Sequence, residues 1–507
     1  MNNSMPPATK KCCSEINRYF YNNNGHGLTS FLELGYDELK IKNLALKKAQ
    51  ANGKSPAEFE KEILDLLKKE KNIKAVMVAF CDLEGKLHLL DYDKEFILEA
   101  RDNLTFDGSS IRGFTTQDKS DLRLKLDFVS FRWLPSDIFG AGKVLMFANV
   151  YGQDNKPFNA DFRGQLIAMT EKLKEEKHIK VNCAPEIEGM LLRGTDAEQH
   201  YNKYEGFELV TEGGYFNTLP QDNLRLFIDK VAEVQRAMGF ENEKDHPEVA
   251  PSQFEINFKY AEIVRTCDNI MLYKLTARQV ARLMGCTASF LPKPVMGING
   301  SGMHSNISLE QKGKNMFYDA KGEFGLSPLA NKFLTGILYY GREIALSFCP
   351  SVNGFRRLDP HFEAPNEIKV SSNDRGSMIR VPLGNEKSAR IEVRSVSPDC
   401  NPYFAYYIFL IAGLKMVDIK EAEFKKIKSE LTLRGKQMLP GNIDEGIEAF
   451  EKSAFVESAI GKTNKAKYLS LKKEVAERSP KALGKYIKNS EILFHHEIRN
   501  QMLWDKF

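Results

Sequence analysis

Polar–apolar alternation that places carboxylates on one side of short extended segments constrains this chain more than any other feature. In Gln253-Phe-Glu-Ile-Asn-Phe258, a strand puts Gln253, Glu255 and Asn257 on one face and Phe254, Ile256 and Phe258 on the other. Ala184-Pro-Glu-Ile-Glu-Gly189 aims Glu186 and Glu188 the same way, with Ile187 behind them. His304, Asn306 and Ser308 share a face in a third segment, and Arg390, Glu392 and Arg394 in a fourth. Glu248 stands one proline-containing loop before Glu255. Any one such pair, taken alone, reads as the solvated face of an edge strand. Together they read differently, because acids on adjoining strands repel unless positive charge lies between them. Carboxylate oxygens with a single imidazole suit Mg²⁺ or Mn²⁺, and thiolate-rich zinc sites are not supported. Arginines recur beside the acids: Arg356, Arg357, Arg375, Arg380, Arg390 and Arg394. Metal-binding carboxylates beside arginines are what phosphoryl transfer requires.

The frame around these segments is α+β. Residues 1–72 read as an extension, helical over Lys40–Lys71, with no chemistry assigned to it. Ile73–Leu90 reads as a hairpin turning at Asp82-Leu-Glu-Gly85, and Val144–Val150 as a further strand after a loop-rich stretch over 105–143. These make a small β-rich domain over 73–155, followed by a catalytic domain over 156–507. Helical periodicity marks Leu166–Lys177, Asn223–Gly239, Asp268–Met284 and Leu329–Leu346. The apolar run Pro402–Leu414 reads as a buried helix, too short to span a bilayer.

Composition removes several classes of function. The 507 residues are 42% hydrophobic and 28% charged, a globular balance. The net charge is only +4, so neither a nucleic-acid nor a membrane-surface partner is indicated. The 8 cysteines include no CxxC pair, which fits reduced thiols in a cytoplasmic enzyme. The polar N-terminus does not resemble a signal peptide. No P-loop motif occurs, which argues against an unrelated P-loop phosphotransferase.

A set of motifs then follows in a familiar order. Phe106-Asp-Gly-Ser-Ser-Ile-Arg-Gly-Phe114, Gly213-Gly-Tyr-Phe216, Pro292-Lys-Pro294 with Asn299-Gly-Ser-Gly-Met-His304, and Asn353-Gly-Phe-Arg-Arg-Leu358 come first. Phe362-Glu-Ala-Pro365, Ile379-Arg-Val-Pro382, Ile391-Glu-Val-Arg394 and Asn401-Pro-Tyr403 complete the series. From about residue 73 onward the chain resembles glutamine synthetase of the bacterial type I kind. The resemblance implies a β-grasp N-terminal domain and a catalytic domain with a curved antiparallel sheet. It also implies a cytoplasmic homo-oligomer, a dodecamer of two stacked six-membered rings, with each active site shared between neighbouring subunits.

It further implies ATP-dependent ligation of ammonia to the γ-carboxylate of glutamate through γ-glutamyl phosphate, with two Mg²⁺ or Mn²⁺ ions per site. Glu188, Glu248 and Glu255 would hold one ion; Glu186, His304 and Glu392 would hold the other. Arg357, Arg394, Asn299 and Gly300 would bind glutamate. Arg375 and Arg380 would meet the transferred phosphoryl group and the ATP phosphates, with Tyr260 and Ser308 near the nucleotide. Asp107 and Asp121 would attract ammonium, with Asp107 taking its proton. Tyr215 and Glu363 would complete that pocket, Glu363 lying on a closing flap.

The chain departs from the family pattern at Gly189 and Met190, Pro247, Asn306, Phe162 and Phe362. None of these removes a metal ligand. The stretch Lys415–Leu439 contains no tyrosine, which fits the subtype without covalent adenylylation. Two other readings compete. One is a ligase of the same fold that uses a polyamine, methylamine or ethanolamine, and it need not keep the ammonium acids. The other is a catalytically dead scaffold, and it should have lost ligands that this chain retains.

Overall fold

The structure is a computed structural model, and it describes residues 34–198, 207–217, 222–358 and 364–477. Glu363 and Phe362, on the expected flap, lie outside the described residues, as do Cys12 and Cys13. Two helices come first. Helix α1 (Tyr36–Ala51) ends at Asn52-Gly53, where Gly53 takes φ +89°. Helix α2 (Pro56–Lys69) starts on a reciprocal cap: the Ser55 side chain accepts from the Glu58 amide, and the Ser55 amide donates to the Glu58 carboxylate. Its Phe59, Ile63 and Leu67, four apart, form one buried stripe.

Both helices cover a five-stranded sheet of β1 (Ala75–Cys81), β2 (Leu87–Asp93), β3 (Leu104–Asp107), β4 (Asp121–Trp133) and β5 (Lys143–Tyr151), in the order β2-β1-β5-β4-β3. The expected hairpin is present, with Ala75 opposite Asp93 and Cys81 opposite Leu87. The stretch expected to be loop-rich instead holds β3 and the thirteen-residue β4. Charged residues at Asp121, Arg123, Lys125 and Asp127 alternate with Leu122, Leu124, Leu126 and Phe128, so half of β4 looks like loop when its apolar face is not followed. Strand β1 is buried on both sides. Val76, Val78 and Phe80 pack with α1 and α2, while Met77, Ala79 and Cys81 join the large core of the remainder of the chain.

That remainder is built on a second sheet. Its main path uses β6 (Ile179–Arg193), β7 (Asn242–Pro247), β8 (Gln253–Phe258), β9 (Met303–Gln311), β10 (Glu367–Ser371), β11 (Ser377–Arg380) and β12 (Ile391–Val393), in the order β10-β11-β12-β9-β6-β8-β7. Every pairing on this path is antiparallel except β10 with β11. Helices pack behind it: α3 (Phe162–Lys177), α4 (Asn223–Ala237), α5 (Ile263–Leu283), α6 (Pro328–Tyr339), α7 (Gly341–Phe348), α8 (Val352–Arg357) and α9 (Pro402–Val417). The single helix expected over Leu329–Leu346 is divided at Tyr340, whose ψ of 4° leaves the helical range before Gly341 restarts the turn. Of the five aromatics of α9, Tyr403, Phe404, Tyr406 and Phe409 are fully buried, and Tyr407 is half-buried. No single helix among the described residues is long and apolar enough to cross a membrane. All six described cysteines are free and buried.

Two polar devices join the sheets. Arg163, on α3 with none of its side chain exposed, donates to Asp268 on α5 (2.8 and 2.9 Å), Asp127 on β4 (2.7 Å) and Asn149 on β5 (2.6 Å). Arg265 bridges the same two acids, and the Tyr403 hydroxyl donates to Asp268. The second device is Asn43 on α1. Its amide nitrogen donates to the carbonyls of Trp133 (3.0 Å) and Ala237 (2.8 Å), and its oxygen accepts from the Trp133 amide. One buried side chain in the extension therefore grips both halves of the fold. The described part of the extension, from residue 34 onward, is thus packed against both halves.

Candidate active site

Strand β6 is the spine of the site, because β9 pairs on one side and β8 on the other. The register sets His304 opposite Glu186, Glu188 opposite Glu255, and Glu255 opposite His246. Ile187 is fully buried behind the two β6 acids, as the alternation predicts. The result is a row of acids and imidazoles across four strands.

Glu188 sits at its centre. One oxygen accepts from the Gly302 amide (2.8 Å) and from the Gln253 side chain (3.1 Å). The other lies 3.2 Å from His304 Nε2. His304 Nδ1 is 3.2 Å from the Arg394 carbonyl, which can only accept, so the proton sits on Nδ1 and the Nε2 lone pair faces the carboxylate. Burial, aided by the Arg394 cation, pushes the imidazole down to about 4 and keeps it neutral. Two acceptors facing each other are stable only with a cation or a proton between them.

On the other side, ligand atoms of His246, Glu248 and Glu255 all lie within 4.8 Å of one another. Burial raises Glu248 to about 7, helped by the charges of Glu188 and Glu255. The His246 imidazole moves up: burial opposes its charged form, but Glu255, the Pro247 carbonyl and Glu248 outweigh that. A buried set of carboxylate oxygens and imidazole nitrogens, short of positive charge, fits a hard divalent cation. Because such ligands bind deprotonated, Mn²⁺ affinity is expected to fall as pH drops below about 7, where Glu248 takes up a proton. Titration calorimetry at pH 6 and pH 8 checks this, and equal affinities would refute it. For the metal-free fold the sign reverses. A carboxyl raised from 4.5 favours folding while protonated, and that contribution is lost as pH rises through about 7.

Arginines close the other wall of a cavity of about 800 Å³ that contains Glu186, Glu188, His246, Glu248, Glu255 and His304. Arg357, Arg375, Arg380 and Arg394 line it, with Tyr215, Asn299 and Gly300. Arg357 is fixed by donating to the Arg394 (3.0 Å) and Val396 (3.3 Å) carbonyls. Gly300 must be glycine, since a Cβ there would lie 2.5 Å from the Pro292 carbonyl oxygen. Glu392 is fully buried, but its oxygens accept from Arg380 (2.6 Å) and Arg394 (2.7 Å), so the arginines occupy the carboxylate expected to serve an ion.

The structure does not gather every expected residue. Asp107 and Asp121 face each other across β3 and β4, exposed, at the end of the first sheet, and neither lines this cavity. Hydrogen bonds from Ser109 and Ser110 hold Asp107 below the usual carboxylate range. Tyr260 is exposed and Ser308 half-buried, also outside the cavity lining. His246 and Lys244, to which the alternation assigns no role, also line the cavity. Their two-residue spacing on β7 was the available signal. It was hidden because Asn242-Glu-Lys-Asp-His-Pro247 has no apolar partner face.

The departures have local reasons. A Cβ at Gly189 would lie 2.6 Å from the Phe254 ring, so the glycine makes room for that phenylalanine. Phe162 stacks on Phe404 at 4.3 Å. Asn306 donates to Glu186 (3.1 Å) and accepts from Arg390 (2.9 Å).

Against known families, residues 159–487 match the model for the glutamine synthetase catalytic domain, and residues 72–153 match that for the glutamine synthetase β-grasp domain. The chain belongs to the glutamine synthetase family. Among its curated relatives, the glutamine synthetase of Methanosarcina mazei is 37% identical, over 82% of this chain and 93% of that protein. That of Thermotoga maritima is 33% identical, over 85% and 98%. A cryo-EM structure of Plasmodium falciparum glutamine synthetase superimposes with a TM-score of 0.74 at 21% identity, covering 85% of this chain and 98% of that one. A GmaS/ADP complex gives 0.71 at 23% identity, covering 85% and 99%. The fold expected from the resemblance, a β-grasp domain joined to a mixed helical and sheet catalytic domain, is therefore that of the family. The two helices over 36–69 precede both matched segments.

Proposed function

We propose that this chain is an ATP-dependent glutamate–ammonia ligase that activates the γ-carboxylate of glutamate as an acyl phosphate and yields glutamine, ADP and phosphate. The observation that carries this reading is one cavity in which a buried row of carboxylates and imidazoles faces four arginines. A carboxylate is a poor electrophile, and phosphorylation supplies it with a leaving group. Arg357 and Arg394 would seat the carboxylates of glutamate, with Asn299 and Gly300 beside its amino-acid end. Arg375 and Arg380 would meet the phosphoryl oxygens, where charge builds during transfer. Two Mg²⁺ or Mn²⁺ ions, when bound by Glu188, Glu248 and Glu255 and by Glu186, His304 and Glu392, would supply Lewis-acid stabilisation of those oxygens. For Glu392 to serve, Arg380 would turn to the phosphoryl oxygens and Arg394 to the glutamate carboxylate, leaving its oxygens free for an ion. Tyr260 and Ser308 would lie nearer the nucleotide base.

Ammonium is nucleophilic only after losing a proton. Asp107, Asp121, Tyr215 and Glu363 would attract it, and Asp107, held as a carboxylate by Ser109 and Ser110, would take that proton. Asp107 and Asp121 stand outside the cavity of their own chain, which supports a site completed by a neighbouring subunit in a dodecamer of two hexameric rings. The setting is cytoplasmic.

The test is coupled ADP release with ATP, Mg²⁺ and glutamate, comparing ammonium with methylamine, ethanolamine and a polyamine. Ammonium is expected to support turnover at least about 100-fold better than any larger amine, because a pocket closed by Asp107, Asp121, Tyr215 and Glu363 would favour a small bare cation over an alkylated one. Release with a larger amine but not with ammonium would overturn the substrate assignment.

A further inference from the structure

We propose that a second cavity, of about 660 Å³, is an effector site for a small molecule that carries a flat aromatic ring and a phosphate or carboxylate group. It shares no lining residue with the active cavity. Its walls come from the junction of α6 with α7, the last turn of α9, strand β10, and two further helices, α10 (Glu421–Leu433) and α11 (Ile443–Lys452), with the residues that follow each. The volume falls in the range of small-molecule sites, roughly 300–1,000 Å³.

Two features of the lining select such a ligand. The first is aromatic. Tyr340 and Phe455 stack at 3.8 Å and 13°, and Tyr339 meets Tyr340 edge-on at 5.0 Å. Leu338, Ile368 and Leu431 extend that apolar surface, against which a flat ring packs well. The second feature is charge. The lining holds the cations Arg342, Lys415, Arg434 and Lys452 against a single acid, Glu343, which already accepts from the Ser453 hydroxyl. Lys452 pairs with Glu448, and Arg342 stands 3.8 Å from Glu445. Among the described residues, Lys415 and Arg434 have no acidic partner and meet rings instead. Lys415 Nζ lies 5.6 Å from the Tyr340 centroid and 5.3 Å from that of Phe455, and the Arg434 guanidinium lies 4.9 Å from that of Tyr339. The rings hold both cations at the cavity wall without neutralising them. An apolar ligand would leave these charges unused, and an inorganic ion would leave the rings unused. An aromatic anion uses both.

The path from this cavity to the active one is short. Ile368 lines it from β10, and the Ile368 amide donates to the carbonyl of Gln437, which lines it too (2.8 Å). The Leu439 amide donates in turn to the Asn366 carbonyl (2.8 Å). On its other edge β10 pairs with β11, which carries Arg380, and Arg375 stands in the turn between the two strands. Both arginines line the active cavity. A ligand that presses on Ile368 and Gln437 therefore acts one strand away from the groups assigned to the phosphoryl oxygens.

The probes are 1-naphthyl phosphate and 1-naphthylacetate, with neutral 1-naphthalenemethanol as the control, each followed by fluorescence titration of the full chain. Lys415→Glu/Arg434→Glu reverses the two exposed cations that lack acidic partners. It is expected to keep the wild-type urea midpoint and the wild-type rate of ADP release in the absence of probe. At least one anionic probe is expected to bind the wild type, the tighter of the two identifying the head group, with Kd raised at least about 10-fold in the double variant. At saturation that probe is expected to shift the apparent KM for ATP roughly fivefold in the wild type and to leave the double variant unmoved. Failure of both anions to bind, equal affinity in the double variant, or binding of the neutral control as tight as that of the anions would overturn the site. Binding with no shift in KM would overturn its role as an effector. A chain that binds the anions as expected but releases no ADP would overturn the ligase reading and leave the site standing.

Discussion

Glu188→Gln is expected to lower kcat for ADP release by roughly 10²–10³-fold while the chain stays folded. Glutamine keeps the shape and can still accept from the Gly302 amide, so the backbone contact that positions residue 188 survives. What disappears is the carboxylate at the centre of the row, between His304 on one side and the Glu248–Glu255 group on the other. Removing it weakens the field that draws in divalent cations and leaves the His304 lone pair facing a neutral amide. The loss should appear in kcat with a raised Mg²⁺ requirement, and saturating Mg²⁺ should recover only part of it. Activity within tenfold of wild type at low Mg²⁺ would show that Glu188 holds no ion in turnover. Circular dichroism and urea midpoints matching the wild type separate this from misfolding.

The second large effect is on stability. Asp268→Ala is expected to cost about 3–5 kcal/mol, because it strands two buried guanidinium groups at once. Arg163 loses both of its bonds to Asp268, Arg265 loses one of its two acid partners, and the Tyr403 hydroxyl loses its acceptor. Asp127 remains and cannot neutralise both cations alone. The reading is a fall in the urea midpoint at unchanged slope. None of these residues lines the active cavity, so activity per folded molecule should stay near wild type at low temperature. A shift smaller than about 1 kcal/mol would mean that water or rearrangement satisfies the arginines.

How much of this was legible in the sequence follows from how local each signal is. Glu186, Glu188, Glu255 and His304 were found because each sits on a strand whose other face is apolar, so a period of two announces both the strand and its polar side. His246 lies on a strand that is polar throughout, and its part in the row depends on pairing with β8, which is a long-range fact. Strand β4 was missed for a related reason, since its exposed face carries charges that imitate a loop. Asn43 gave no signal. An asparagine in a Lys- and Leu-rich helix looks solvent-facing until two distant carbonyls are seen to meet it. The engagement of Glu392 by Arg380 and Arg394 depends on side-chain reach that alternation does not encode.

Helix α1 has a mechanical consequence. Asn43 bonds at once to the end of β4 and to the end of α4, and Tyr36 and Lys230 meet at Asp137 nearby. A hinge between the first sheet and the second would have to break these bonds together with the guanidinium network beneath them. Helix α1 thus braces the described halves against such a hinge. A substitution at Asn43 would therefore loosen the attachment of the first sheet and of α4 at once.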